Sequence, residues 1–207
     1  PPFFNDTATT EIYTSDVSSA ASDVYKRQPQ PPGLWKALMH PASNTKNYKQ
    51  DSGEKLYRRS LYVYWKRTSP HPMMILFDAP DRESSCVRRS RTNTSLQSLG
   101  LFNETQRVEM ARKLAERLLR EADSDSSRLE LLYTLLACRP PSAAERTACS
   151  TLLETMRTRY TETPKDALAL VSTGDAPRDE SLDLIQLAAW TQVTGTVLTS
   201  DAALLLY

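Results

Sequence analysis

A chain of 207 residues with 26 Lys/Arg against 25 Asp/Glu carries a net charge of only +1, which offers nucleic acid no electrostatic footprint. No run of about 20 apolar residues occurs, so no segment reads as membrane-spanning. Two histidines, and three cysteines in no metal spacing and without CxxCH, exclude a zinc or haem site built by this chain alone.

Taken in order, the first 28 residues read as an artefact. Residues 5–14 (NDTATTEIYT) translate a flow-cell primer, and 18–28 (SSAASDVYKRQ) translate a transposase-type sequencing adapter. Such scars lie outside fold reasoning, so 1–28 is expected to be an adapter-derived, disordered segment and 29–207 the domain. Over 29–207 the balance is 24 basic to 21 acidic residues, or +3.

Residues 29–33 (PQPPG) form an extended lead-in because successive prolines bar a helix. Residues 34–39 (LWKALM) suffice for one helical turn before Pro41. From 56 to 67, Tyr57, Leu61, Tyr64 and Trp65 fall at i, i+4, i+7 and i+8, which predicts a helix. Ser69-Pro70-His71-Pro72 ends it. The apolar run 73–77 (MMILF) suits either a buried extended segment or the start of another helix. Asp78-Ala79-Pro80-Asp81 is a turn; 86–94 is a basic loop. Asn93 or Thr94 caps a helix through Leu96, Leu99 and Phe102.

Helix then follows helix. Asn103-Glu104-Thr105-Gln106 reads as a cap with a reciprocal Gln, opening a stripe of Val108, Ala111, Leu114, Ala115, Leu118 and Leu119 with Glu and Arg opposite. Ser126 or Ser127 opens the next helix, with Leu129, Leu132, Leu135 and Leu136, and Pro140-Pro141 breaks it. Ser142-Ala143-Ala144-Glu145 is a capping box for a helix reaching about Tyr160. Pro164 sits at the first position of a short helix ending near Gly174. The last long helix runs over about 180–199, with Leu182, Ile185, Ala189, Trp190, Val193 and Val197 on one side. The fold class is therefore mainly α: a multi-helix, bundle-like domain with an irregular Pro/Arg-rich segment, about 68–94, packed on it.

The chemistry-bearing residues concentrate in 56–99. Residues 46–91 hold 11 basic and 5 acidic side chains, whereas 92–207 hold 12 and 16. The candidate polar cluster is Asp78, Arg82, Glu83, Arg88, Arg89, Arg91 and Asn93. Its guanidiniums suit a bidentate grip on sulfate, phosphate or carboxylate. Its interleaved carboxylates suit internal bridges that pin loops, which is the favoured reading because a buried arginine without a partner is costly. Tyr57, Tyr62, Tyr64 and Trp65 form a candidate aromatic interface, read as core and contact surface ahead of a sugar-stacking platform. His71, between two prolines, reads as a loop histidine. No G-x-S-x-G or Ser/His/Asp pattern exists, so no catalytic, metal or cofactor residue is assigned. Cys138 and Cys149 flank a helix–helix turn and are open to pairing, with buried free thiols favoured.

Several longer motifs carry a family likeness. Leu56-Tyr57-Arg58-Arg59-Ser60-Leu61-Tyr62 with Tyr64-Trp65-Lys66-Arg67, Phe77-Asp78-Ala79-Pro80 before Arg82-Glu83, Val87-Arg88-Arg89, and Arg91-Thr92-Asn93-Thr94 before Leu96-Gln97 occur in order. Pro31-Pro32-Gly33-Leu34-Trp35 precedes them and Leu187-Ala188-Ala189-Trp190 closes the series. Together they resemble the C-terminal domain of unknown function 1553 (DUF1553) of planctomycete-type, cytochrome-c-associated proteins. Ser95 departs from the family's proline, and Gly100 from its usual apolar residue. The resemblance implies an extracytoplasmic setting, periplasmic or cell-surface, with haem c in an upstream part of the protein. It implies as partner that protein's upstream domain, onto which a non-catalytic helical module docks. The second reading is an anion- or sulfated-glycan-binding module with an anionic polysaccharide as partner, catalytic only together with the upstream domain. Nucleic acid is not an expected partner.

Overall fold

The computed structural model describes residues 27–28, 33–35, 48–57, 63–66, 68–80, 85–88, 92 and 94–204. The chain divides into two compact units, Pro1–Thr94 and Ser95–Tyr207.

In the first unit β1 (Arg27–Gln28) and β2 (Lys49–Gln50) pair in parallel, Arg27 opposite Lys49 and Gln28 opposite Gln50. Arg27 and Gln28 thus take a defined register inside the segment read as adapter; residues 1–26 lie outside the described residues. The centre of this unit is Trp35, 1% exposed. Tyr48 packs on it at 4.7 Å between centroids, and Tyr64 meets it edge-on at 5.8 Å. Lys66 Nζ lies 5.5 Å above the ring, and the indole N–H donates to Ser69 O at 2.9 Å. Burial of an indole costs less where its N–H finds an acceptor, and Ser69 supplies one.

That packing corrects the helix expected over 56–67 at residues 63–66; residues 58–62 and 67 lie outside the described residues. A 3₁₀ helix covers Gly53–Tyr57, and residues 63–66 are not helical. Val63 is buried and Tyr64 points at Trp35, so Tyr64 answers to a residue some thirty positions earlier. Between the two alternatives for the apolar run, the structure takes the helix: α1 is Pro72–Leu76. Pro72 occupies its first turn, where a missing N–H costs nothing. His71 is its N-cap, Nδ1 accepting from the Met73 N–H at 3.2 Å.

The second unit is helical, as expected for a mainly α bundle. It comprises α2 (Ser95–Asn103), α3 (Thr105–Glu121), α4 (Asp125–Ala137), α5 (Ala143–Glu162), α6 (Pro164–Val171), α7 (Leu184–Leu198) and α8 (Asp201–Leu204). Helix α7 is the hub, packing against α3, α5 and α6. Leu187, Ala188, Ala189, Trp190, Val193 and Thr194 are all fully buried, so this helix is enclosed on more than one side, as suits a helix that is apolar nearly all round. Its threonines survive burial because their hydroxyls have acceptors: Thr191 donates to Leu187 O at 2.7 Å, and Thr194 to Ala111 O of α3 at 2.8 Å. Leu114, Leu118, Leu129, Leu132, Leu153 and Val171 complete the core around it.

Helix ends follow local chemistry, with shifts. The Ser142–Glu145 capping box opens α5 as expected, Glu145 N–H donating to Ser142 Oγ and Ser142 N–H to Glu145 Oε2 at 2.7 Å. For α4 the cap is Ser124, boxed with Ser127, two or three residues earlier than expected. Before α3 the Asn103 amide is spent on Leu99 O at 2.8 Å, so Glu104 holds the cap position without a side-chain bond. Helix α7 starts at Leu184 under an Asp183 cap, not near 180, because the preceding residues belong to a strap described next.

Candidate functional site

Glu109, Arg112, Glu116 and Arg120 recur every three or four residues, with Lys113 beside Arg112, and therefore share one face of α3. Sequence reasoning treats such a face as solvated. Instead Glu109, Arg112 and Glu116 are 5%, 1% and 3% exposed. The segment 172–183, joining α6 to α7, crosses this face and is held by it.

The bonds run mainly from side chain to main chain. The Asp175 N–H donates to Glu109 Oε2 at 2.7 Å, and the Asp179 N–H to Glu116 Oε1 at 3.1 Å. Arg112 donates from Nη1 to Glu116 Oε1 at 2.9 Å and from Nη2 to Ala176 O at 2.6 Å. Lys113 Nζ reaches Glu116 Oε2 at 2.9 Å and Pro177 O at 2.6 Å. Arg120 pairs with Asp179, Nε lying 3.0 Å from Oδ2. Hydrogen bonds from Ser181, together with Arg120, hold the Asp179 carboxyl well below the usual carboxylate range. The close crossing needs Gly174 (φ +98°): a Cβ there would sit 2.0 Å from Glu109 Oε2. Only glycine combines that backbone with that clearance.

Beside the strap lies an open hollow of about 500 Å³. Its charges are matched: Lys113 with Glu116, Arg117 with Glu121, and Arg120 with Asp179, while Arg178 and Glu180 complete the rim. A balanced rim gives no net pull on an anion. Two further polar ties staple helices together. Arg157 grips Asp125 bidentately at 2.7 and 3.0 Å and holds Gln186 Oε1 at 2.7 Å, joining α5, α4 and α7. Arg139 grips Glu145 at 2.7 and 2.8 Å and, with Ser142, lowers its carboxyl pKa to about 2.

Of the polar cluster read from sequence, Asp78 and Arg88 are among the described residues, whereas Arg82, Glu83, Arg89, Arg91 and Asn93 lie outside them. Asp78 (φ +54°) closes its loop by accepting from the Thr92 N–H and hydroxyl at 2.8 and 2.7 Å. Arg88 is exposed, its carbonyl accepting from the Cys86 thiol at 3.2 Å. Of the aromatic set, Tyr64 turns inward to Trp35, Trp65 is half-buried, Tyr57 is exposed and Tyr62 lies outside the described residues. Cys86, Cys138 and Cys149 stand as free thiols, but of the burial expected only Cys149 has it, Cys86 and Cys138 being exposed; Cys149 lies within 3.8 Å of the Tyr133 hydroxyl, and burial raises its pKa. Among the described residues no group of three His, Cys, Asp or Glu is placed to hold a metal, and no helix is long and apolar enough to cross a membrane.

What sequence reasoning missed is the charged face of α3. The signal was present as opposite charges at helical spacing opposite a leucine stripe, but nothing local shows that a segment some 65 residues later covers it.

No curated protein and no solved structure matches the chain. A family profile described as PSD1, protein of unknown function (DUF1553), matches residues 10–153. The match begins inside the segment read as adapter and ends within α5, so α6 and the Leu187-Ala188-Ala189-Trp190 motif of α7 lie beyond it. It includes the motif-rich front of the chain and more than half of its length, and on that ground the chain belongs to the DUF1553 family of proteins of unknown function.

Proposed function

We propose that the chain is a non-catalytic helical module that docks onto an upstream domain of a haem-associated extracytoplasmic protein. The observation that supports this reading is the outer face of α2. Leu96, Leu99 and Phe102 are 59%, 57% and 42% exposed while Gln97 and Leu101 on the other side are buried. Single exposed leucines are ordinary, but three large apolar side chains at i, i+3 and i+6 make a stripe of the kind an apolar groove receives. The charges of the helical unit, by contrast, are largely occupied with one another, as in the α3 face and the Asp125 and Glu145 ties. In this reading the partner is the upstream domain that the family resemblance implies, and haem c belongs to that upstream part.

The test is titration calorimetry of the full chain against the separately produced upstream region of its parent protein. Saturable binding is expected, with Leu99→Glu weakening it at least about tenfold, since one buried leucine contributes on the order of 2 kcal/mol. Leu99 is exposed, so the variant's melting temperature should stay close to that of the parent. Absence of binding, or equal binding by Leu99→Glu, would sink the proposal.

A further inference from the structure

We infer that residues 174–181 form a latch that opens as a unit while the helices beneath it stay folded, and that its release bares the charged face of α3. No side chain from 172 to 181 belongs to the hydrophobic core; Leu182 and Leu184 are the first after it to pack there. The latch is fastened by polar ties to a single helix, through Glu109, Arg112, Lys113, Glu116 and Arg120. When it lifts, these groups return to water, where carboxylates and guanidiniums are well solvated. One of them gains a partner by opening: Arg112 Nε is buried and makes no hydrogen bond in the closed state. Desolvated charge opposes closure and the bonds favour it, so closure is held less firmly than the packed core beneath.

The flanking helices keep their own ends in either state. At the C-terminus of α6 the Ser172 N–H bonds Leu168 O at 3.0 Å, and Asp183 caps α7 by accepting from the Gln186 N–H at 2.8 Å. Gly174, in a backbone conformation other residues avoid, is the natural pivot next to the first tie. The opened face would carry acceptors and donors in the order Glu109, Arg112, Lys113, Glu116, Arg120, spaced to read the main chain of an extended segment, as it now reads 175–179. The inference does not depend on the proposed docking function.

Native-state hydrogen exchange on the full chain tests it, read at the Asp175 and Asp179 amides, which donate to Glu109 and Glu116, and at Leu118 and Val193 in the core. The two strap amides should share one opening constant, at least about a hundredfold larger than that of the core amides and insensitive to low urea, as for a local unit. Glu109→Gln should raise the opening of both together while leaving Leu118 and Val193 unchanged. Limited trypsin digestion should nick the parent chain after Arg178 without loss of helical circular dichroism. Strap amides that open only with the core, or with constants differing more than about tenfold from each other, would overturn the latch. So would a nick after Arg178 that unfolds the helices.

Discussion

The front unit gathers its centre from residues far apart in sequence, whereas the helical unit gathers its own from residues three and four apart. Trp35 is surrounded by Tyr48 and, from a later irregular stretch, by Tyr64, Lys66 and Ser69. Around α7 the leucines of α3 and α4 arrive already aligned by their helices. Aromatic-centred packing without regular structure depends on a few long-range contacts. A helical core spreads the same task over many side chains, and its backbone bonds are satisfied before any packing occurs.

The sharpest way to break that contrast is to remove the central tryptophan of each unit. Trp190→Ala should cost about 3–5 kcal/mol in urea unfolding of the helical unit, as for other buried tryptophans. Trp35→Ala should cost roughly 3 kcal/mol, but in the front unit alone: near-ultraviolet signals from Tyr48 and Tyr64 collapse while far-ultraviolet helicity persists. Next in size is Gly174→Ala, which meets Glu109 and a left-handed backbone at once; it should cost about 2 kcal/mol, read as a lower urea midpoint.

Acid separates the two units more gently. His71 must be neutral at Nδ1 to cap α1, and burial lowers its pKa from the ordinary 6.5. Its contribution is therefore present above about pH 6.5 and is lost as pH falls below that value. In the helical unit, Glu145 is lowered from 4.5 to about 2 by Arg139 and Ser142, and Arg157 lowers Asp125. Those contributions hold above the ordinary carboxylate values and fade only as pH drops through about 4.5 toward 2. Probes of the front unit should thus lose stability first, below pH 6.5. Glu145→Gln should flatten the later loss in the helical unit.

The same contrast explains how far the sequence could be read. The Ser142–Glu145 box, Pro164 at the start of α6 and the leucine stripe of α3 are local patterns, and each stands where expected. The helix expected over 56–67 does not extend through 63–66, where Tyr64 answers to Trp35. The start of α7 moved because Asp179 and Ser181 are engaged in the strap. Burial of Arg112 was illegible for the same reason, since Ala176, 64 residues away, covers it. Of the polar cluster centred on Asp78, what the structure adds is a loop closure to Thr92, a contact no spacing rule anticipates.

The central claim is that the charges under the strap stabilise by pairing with each other, not by waiting for a ligand. Urea unfolding of Arg112→Leu beside the double variant Arg112→Leu/Glu116→Leu tests it most directly. The single change strips the Ala176 carbonyl of its donor and leaves Glu116 with only Lys113 and the Asp179 N–H; it should cost about 3 kcal/mol, whereas removing both charges should restore part of that loss. A single variant within about 0.5 kcal/mol of the parent, or a double variant less stable than the single one, would contradict the account.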